Sequence, residues 1–123
     1  MVSVPGFLLR RLYVKKSLRN TADGFEFQIK NGLGSGYAHR LWPLPLDGEE
    51  IPSGRSVFSA DGREVSFDDV SRENTFTLAM NKTVTISVQG VSLDVGSHKI
   101  RMGFDVPGLG TLRFDFTDVV ADG

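Results

Sequence analysis

Apolar and polar residues alternate through most of this chain, most clearly over residues 95–119. Ile100, Met102, Phe104 and Val106 form one apolar row, and Leu112, Phe114 and Phe116 form a second, on either side of Pro107-Gly108-Leu109-Gly110. Successive side chains of a strand point to opposite faces, so each row lies on a single face. Two such rows around a Pro/Gly turn predict an antiparallel hairpin with one buried side.

The same period recurs upstream. Phe25, Phe27 and Ile29 alternate with Glu26, Gln28 and Lys30 and predict a strand. Phe76, Leu78 and Met80 alternate, as do Val84, Ile86 and Val88, with Asn81-Lys82 as the turn between them. Residues 7–14, with Leu8, Leu9, Leu12 and Val14, read as a first strand or arm, followed by a polar, turn-like stretch over 15–23. Residues 31–36 are glycine-rich and predict a flexible inter-strand loop. Residues 37–46 are aromatic and apolar, but Pro43 and Pro45 each remove a ladder donor, which reduces the run to an edge strand or an extended segment and blunts it against strand addition. Asp47-Gly48 and Asp61-Gly62 are hairpin-turn dipeptides, the first joining 44–46 to a strand around Ile51, the second joining 57–58 to 65–67. Residues 66–69 suit a single helical turn with Asp68 and Asp69 near its N-terminus. Residues 91–94 lead into the hairpin, and 119–123 are expected to fray.

These elements amount to about eight short strands at sandwich spacing, with no comparably clear helix, no repeat and no linker. The expected fold is all-β, a two-sheet antiparallel β-sandwich, with residues 1–123 as one domain. Of the nine phenylalanines, eight, Phe7 among them, are assigned to the core; Phe67, at the margin of the helical turn, is ambiguous.

Composition narrows the function. A chain of 123 residues can bury a core without staples. The absence of cysteine excludes disulfides, thiolate nucleophiles and zinc–cysteine sites, and suits a reducing cytoplasm. The balance of 14 basic and 15 acidic residues argues against a nucleic-acid binder that works by neutralising phosphates. The apolar run at 5–9 is followed at once by Arg10 and Arg11, whereas a secretory leader carries roughly 7–15 apolar residues with its charges in front. No stretch approaches the ~20 apolar residues of a membrane-spanning helix. A soluble, unexported, cytoplasmic protein with no membrane association is expected.

Candidate chemistry is sparse. Of two histidines, His98 begins a strand and is expected to cap the core and bond to a neighbouring loop, while His39 has no acidic or histidine neighbour at metal-ligand spacing. Gly32-Leu33-Gly34-Ser35-Gly36 lacks the following helix and the lysine-hydroxyl pair of a phosphate loop. Glu49 and Glu50, adjacent on a strand, point to opposite faces and cannot flank a glycosidic bond; Asp68 and Asp69 read as capping charges. No nucleophile elbow is present. No catalytic residue, metal ligand or cofactor site is therefore expected on this chain. Tyr37, His39, Arg40 and Trp42 remain: two aromatics, a cation and a titratable ring within six residues, after a glycine hinge and before two prolines. Tyr, Trp and Arg dominate binding hot spots, so these four are the candidate partner-binding residues. The alternative for Trp42, the sole tryptophan, is that it folds into the core with Leu44.

Four short segments, in order, carry a resemblance over roughly residues 15–118. They are Lys16-Ser17-Leu18-Arg19-Asn20 with Asp23-Gly24-Phe25-Glu26-Phe27, then Leu46-Asp47-Gly48-Glu49-Glu50-Ile51-Pro52, then Asp61-Gly62-Arg63-Glu64-Val65-Ser66-Phe67, and last Leu93-Asp94-Val95-Gly96-Ser97-His98-Lys99-Ile100. In these the chain resembles the small β-subunit family of bacterial C-glycoside deglycosidases and its uncharacterised relatives. The resemblance implies a non-catalytic β-sandwich subunit of a hetero-oligomer. Its partner would be a larger barrel α-subunit holding a divalent metal and the catalytic base, and the complex would cleave the C–C bond between a 3-oxo sugar and an aromatic aglycone. The chain departs from the family at Gly36-Tyr37-Ala38-His39-Arg40, where members tend to have Tyr-Tyr-Arg-Gly, and no catalytic residue carries over. The competing expectation is a stand-alone sandwich that self-associates through an edge strand. A third is a small hydrolase whose site assembles across an oligomer.

Overall fold

A computed structural model of the chain describes residues 5–121. Among them, strands follow in the order β1 (Arg19–Asn20), β2 (Gly24–Lys30), β3 (Gly36–Ala38), β4 (Arg40–Leu41), β5 (Leu44–Leu46), β6 (Glu49–Ile51), β7 (Ser56–Ala60), β8 (Arg63–Ser66), β9 (Phe76–Leu78), β10 (Thr83–Gln89), β11 (Ser97–Val106) and β12 (Gly110–Val119). The fold is all-β, with antiparallel sheets and no closed barrel. One sheet has the order β1-β2-β10-β7-β8; the other has β12-β11-β5-β6, with β4 also paired to β11; β3 and β9 form a separate ribbon. Twelve strands stand where about eight were expected: the proline-bearing run at 37–46 breaks into three short strands, and β1 falls in a stretch read as turn-like.

The alternating rows meet between the sheets. Phe25, Phe27 and Ile29 of β2 pair with Val88, Ile86 and Val84 of β10. They face Ile100 and Met102 of β11 and Phe114 and Phe116 of β12, all buried. Phe116 links the layers: its ring lies 5.1 Å from that of Phe27 and stacks on Tyr13 at 3.7 Å. At Gly24, the first residue of β2, a Cβ would stand 1.8 Å from the Val88 carbonyl oxygen, so only glycine fits. The two predicted hairpin turns form, with Asp47 and Gly48 at φ 51° and 91° and Asp61 and Gly62 at 52° and 80°. Positive φ at both central positions is the type I′ turn, whose twist matches that of its strands. The turn at 66–69 is a single 3-10 turn, Phe67–Asp69, capped by Ser66 Oγ, which accepts the Asp68 N–H.

Several expectations are corrected. The first strand or arm at 7–14 is instead an α-helical turn, α1 (Gly6–Leu9), running into a 3-10 turn, Arg10–Leu12. Leu9, Leu12 and Tyr13 are spaced i, i+3, i+4, and this helical face is the buried one. Phe67 is core at 2% exposure, while Phe7, placed on the opposite side of that turn, is 67% exposed. β5 is not an edge strand. It lies between β11 and β6, and pairs with β11 only through Leu46 and Ile100, so the donor missing at Pro45 is tolerated. The strand containing Phe76 and Leu78 pairs with β3 rather than with β10 across Asn81-Lys82.

The glycine loop at 31–36 is held rather than loose. Asn31, 3% exposed, accepts the Leu33 and Gly34 N–H groups on Oδ1 and donates through Nδ2 to the Gly34 and Leu78 carbonyls. Residues expected to fray are tied in: Val119 ends β12, and the Ala121 N–H donates to the Leu18 carbonyl at 2.9 Å. Residues 122 and 123 lie outside the described part.

Candidate functional site

The outer face of the β4–β11–β12 layer is built by register. Arg40 pairs with Asp105 across β4 and β11, and Asp105 with Thr111 across β11 and β12. One row further, the Trp42 N–H donates to the Gly103 carbonyl at 3.0 Å, and Gly103 pairs with Arg113. The following rows are Arg101 with Asp115 and Lys99 with Thr117. Side chains at these odd positions of both strands face away from the core, since Ile100, Met102, Phe114 and Phe116 face into it.

Trp42 therefore lies over Gly103. A Cβ at Gly103 would stand 3.5 Å from Trp42 Cβ and Cδ1 and 3.3 Å from Arg113 Cγ, so the missing side chain leaves the seat in which indole and arginine meet. The Arg40 guanidinium sits 3.9 Å from the indole centroid and that of Arg113 5.6 Å, both within cation–π range. The indole N–H donates to Asp105 Oδ1 at 2.8 Å, and the Thr111 hydroxyl donates to the same oxygen at 2.6 Å. Burial pushes the Asp105 carboxyl up, but the hydrogen bonds from Thr111 and Trp42 and the neighbouring Arg40 and His39 outweigh it and hold it below the ordinary carboxylate value. The indole is half-buried, and three of its neighbours fix its orientation.

The four residues singled out from sequence lie along this one edge but do not converge. Arg40 and Trp42 stack together. Tyr37, on β3, is 51% exposed at the rim of an apolar cavity of about 290 Å3, walled by Leu9, Leu12, Phe76, Leu78 and Leu112. His39 sits between β3 and β4, where its backbone N–H donates to the Asp105 carbonyl, and its side chain shares a shallow depression with Tyr37, Arg72 and Pro107. Sequence reasoning missed Arg101, Gly103, Asp105 and Arg113. Their outward parity was readable from the hairpin; the pairing of β4 onto β11, which brings Trp42 over them, was not.

Two polar clusters elsewhere are engaged within the fold. His98 Nδ1 lies 2.7 Å from Asp47 Oδ2 and Nε2 lies 2.8 Å from the Asp94 carbonyl, so the ring bonds to a neighbouring loop as expected. Asp118 accepts from the Tyr13 hydroxyl at 2.7 Å and the Lys16 N–H at 2.8 Å. Burial, followed by that bond to Asp118, pushes the Tyr13 phenol up and keeps it protonated. Among the described residues, no group of three or more His, Cys, Asp or Glu side chains could hold a metal ion, and no helix is long and apolar enough to cross a membrane.

Fold and site together define a two-sheet antiparallel β-sandwich with an arginine-flanked tryptophan on an outer face. Residues 8–121 match the family described as hydroxymethylglutaryl-CoA reductase, N-terminal domain, and the chain belongs to that family. No curated protein matches the chain.

Proposed function

We propose that this chain is a non-catalytic accessory subunit, the small partner of a larger, metal-dependent barrel subunit of the C-glycoside deglycosidase type, acting in the cytoplasm. The metal and the base that cleave the C–C bond of a 3-oxo-C-glycoside would belong to the partner. The observation that carries this reading is the Trp42 stack, a rigid aromatic anchor held between Arg40 and Arg113 and bonded to Asp105. It has the composition of an interface hot spot.

Membership of a family described as a domain of a reductase favours a second reading, in which the same sandwich serves alongside an enzyme acting on hydroxymethylglutaryl-CoA. Tagged purification from the native host, followed by mass determination and assay of the complex, separates the two. A barrel-sized partner, with aglycone release from a 3-oxo-C-glycoside, supports the first. Turnover of hydroxymethylglutaryl-CoA by the co-purified chain supports the second. A lone homo-oligomer removes both and leaves the self-associating sandwich.

A further inference from the structure

The outer face around Trp42 is more basic than the chain as a whole. Arg10, Arg40, Lys99, Arg101 and Arg113 gather there against Asp105, Asp115 and Glu50, five cations to three carboxylates, in a chain whose formal net charge is -1. Asp105 and Asp115 organise the cations. Asp115 holds Arg10, Lys99 and Arg101 at 3.3, 3.8 and 3.7 Å, and Asp105 fixes the indole beneath Arg40. Among the described residues, Arg40 and Arg113 form no ion pair, so both guanidiniums are free to take a carboxylate in their fork.

We infer that this face docks an acidic, Asp/Glu-rich protein surface whose carboxylates reach the two guanidiniums stacked around Trp42. The inference rests on the accessory-subunit reading for the partner's identity, and it extends the interface from the Tyr37–Trp42 segment to Arg101 and Arg113. Charge complementarity selects the occupant: opposite potentials steer encounter and exclude like-charged partners. The interspersed Asp105 and Asp115 suit a protein face of mixed sign and disfavour a continuous phosphate backbone.

The sole tryptophan lies inside the patch, so its emission reports occupancy. The full chain is titrated with poly-L-glutamate by Trp42 fluorescence and by calorimetry. Binding is expected to be saturable, to weaken about ten-fold or more in the Arg101→Glu/Arg113→Glu variant, and to fall as salt shortens the Debye length. Arg63→Glu on β8, in the other sheet, is the control and should bind as the parent does. Absent binding, an unchanged Trp42 signal, or equal loss in the two variants overturns the inference. Tighter binding of duplex DNA or anionic vesicles than of poly-L-glutamate overturns the acidic-protein class. Poly-L-glutamate binding by a chain that purifies without a larger subunit keeps the inference and removes the accessory reading; a purified complex indifferent to the double reversal does the opposite.

Discussion

His98 closes a bond to Asp47, with Nδ1 2.7 Å from the carboxylate Oδ2, while its Nε2 faces the Asp94 carbonyl at 2.8 Å. A carbonyl and an ionised carboxylate only accept, so both ring nitrogens must donate, and the bound form is the imidazolium. The bond to Asp94 and then that to Asp47 hold the His98 pKa above its ordinary 6.5. Asp47 is held below its ordinary 3.8, first by the Lys99 backbone N–H and then by His98. The pair ties the β5–β6 turn to the start of β11.

Stability should follow this pair with pH. The His98 contribution is complete below 6.5 and is lost as pH rises through the raised folded value; the Asp47 contribution is present above 3.8 and is lost as pH falls. The Tm gap between the parent and His98→Gln should therefore be widest between pH 3.8 and 6.5 and shrink as pH rises through the raised folded value of His98. An NMR titration of His98 should show a midpoint above 6.5 that drops in Asp47→Asn. A midpoint unmoved by Asp47→Asn would remove the coupling.

Two phenylalanines of two different helical turns differ in burial. Phe67 is 2% exposed and Phe7 is 67% exposed. Phe67→Ala should cost about 3–5 kcal/mol by transfer and cavity terms, whereas Phe7→Ala should stay within about 0.5 kcal/mol. Urea unfolding of both variants measures the difference, and similar costs would contradict the burial.

What could be read in advance follows the period of the side chains. The β2, β10, β11 and β12 rows were legible because each strand is long enough to show alternation and is buried on one face. The Asp47-Gly48 and Asp61-Gly62 turns were legible because their φ demands select those residues. Leu9, Leu12 and Tyr13 were misread because three buried positions at helical spacing are too few to define a period. The placing of β5 beside β11 and the pairing of β3 with β9 are long-range contacts with no local signature. The same limit hid the site: Tyr37, His39, Arg40 and Trp42 were recognisable by type, but Gly103, Asp105 and Arg113 join Trp42 only through the β4–β11 register.

Gly24 tests the packing of β2 on β10. A Cβ there would lie 1.8 Å from the Val88 carbonyl oxygen and 2.9 Å from its carbon, both backbone atoms at the end of the β2–β10 ladder. Overpacking ordinarily costs about 1–3 kcal/mol, and this clash with backbone should reach or pass the upper end. Gly24→Ala should be recovered largely insoluble or with a sharply lowered Tm. Gly36→Ala, with nothing within 4 Å of its Cβ, should melt close to the parent.

Trp42 is half-buried and held by polar groups, so its removal should separate binding from folding. Trp42→Ala should weaken association with the larger subunit by about 2 kcal/mol or more, as hot-spot truncations do. Its stability cost should stay below the about 3–5 kcal/mol of a core aromatic. Gly103→Val isolates the seat. It keeps the indole but fills the space between Trp42 and Arg113, where even one Cβ stands 3.3 Å from Arg113 Cγ. Association should fall toward the Trp42→Ala level while the indole, lifted from Asp105, emits further to the red. Trp42→Phe keeps an aromatic face and loses only the N–H bond to Asp105, so it should fall between parent and Trp42→Ala. Sedimentation of each variant complex, with thermal melts in parallel, measures both quantities. A Trp42→Ala chain whose Tm collapses while its folded fraction still associates would make the residue a core element and not a contact.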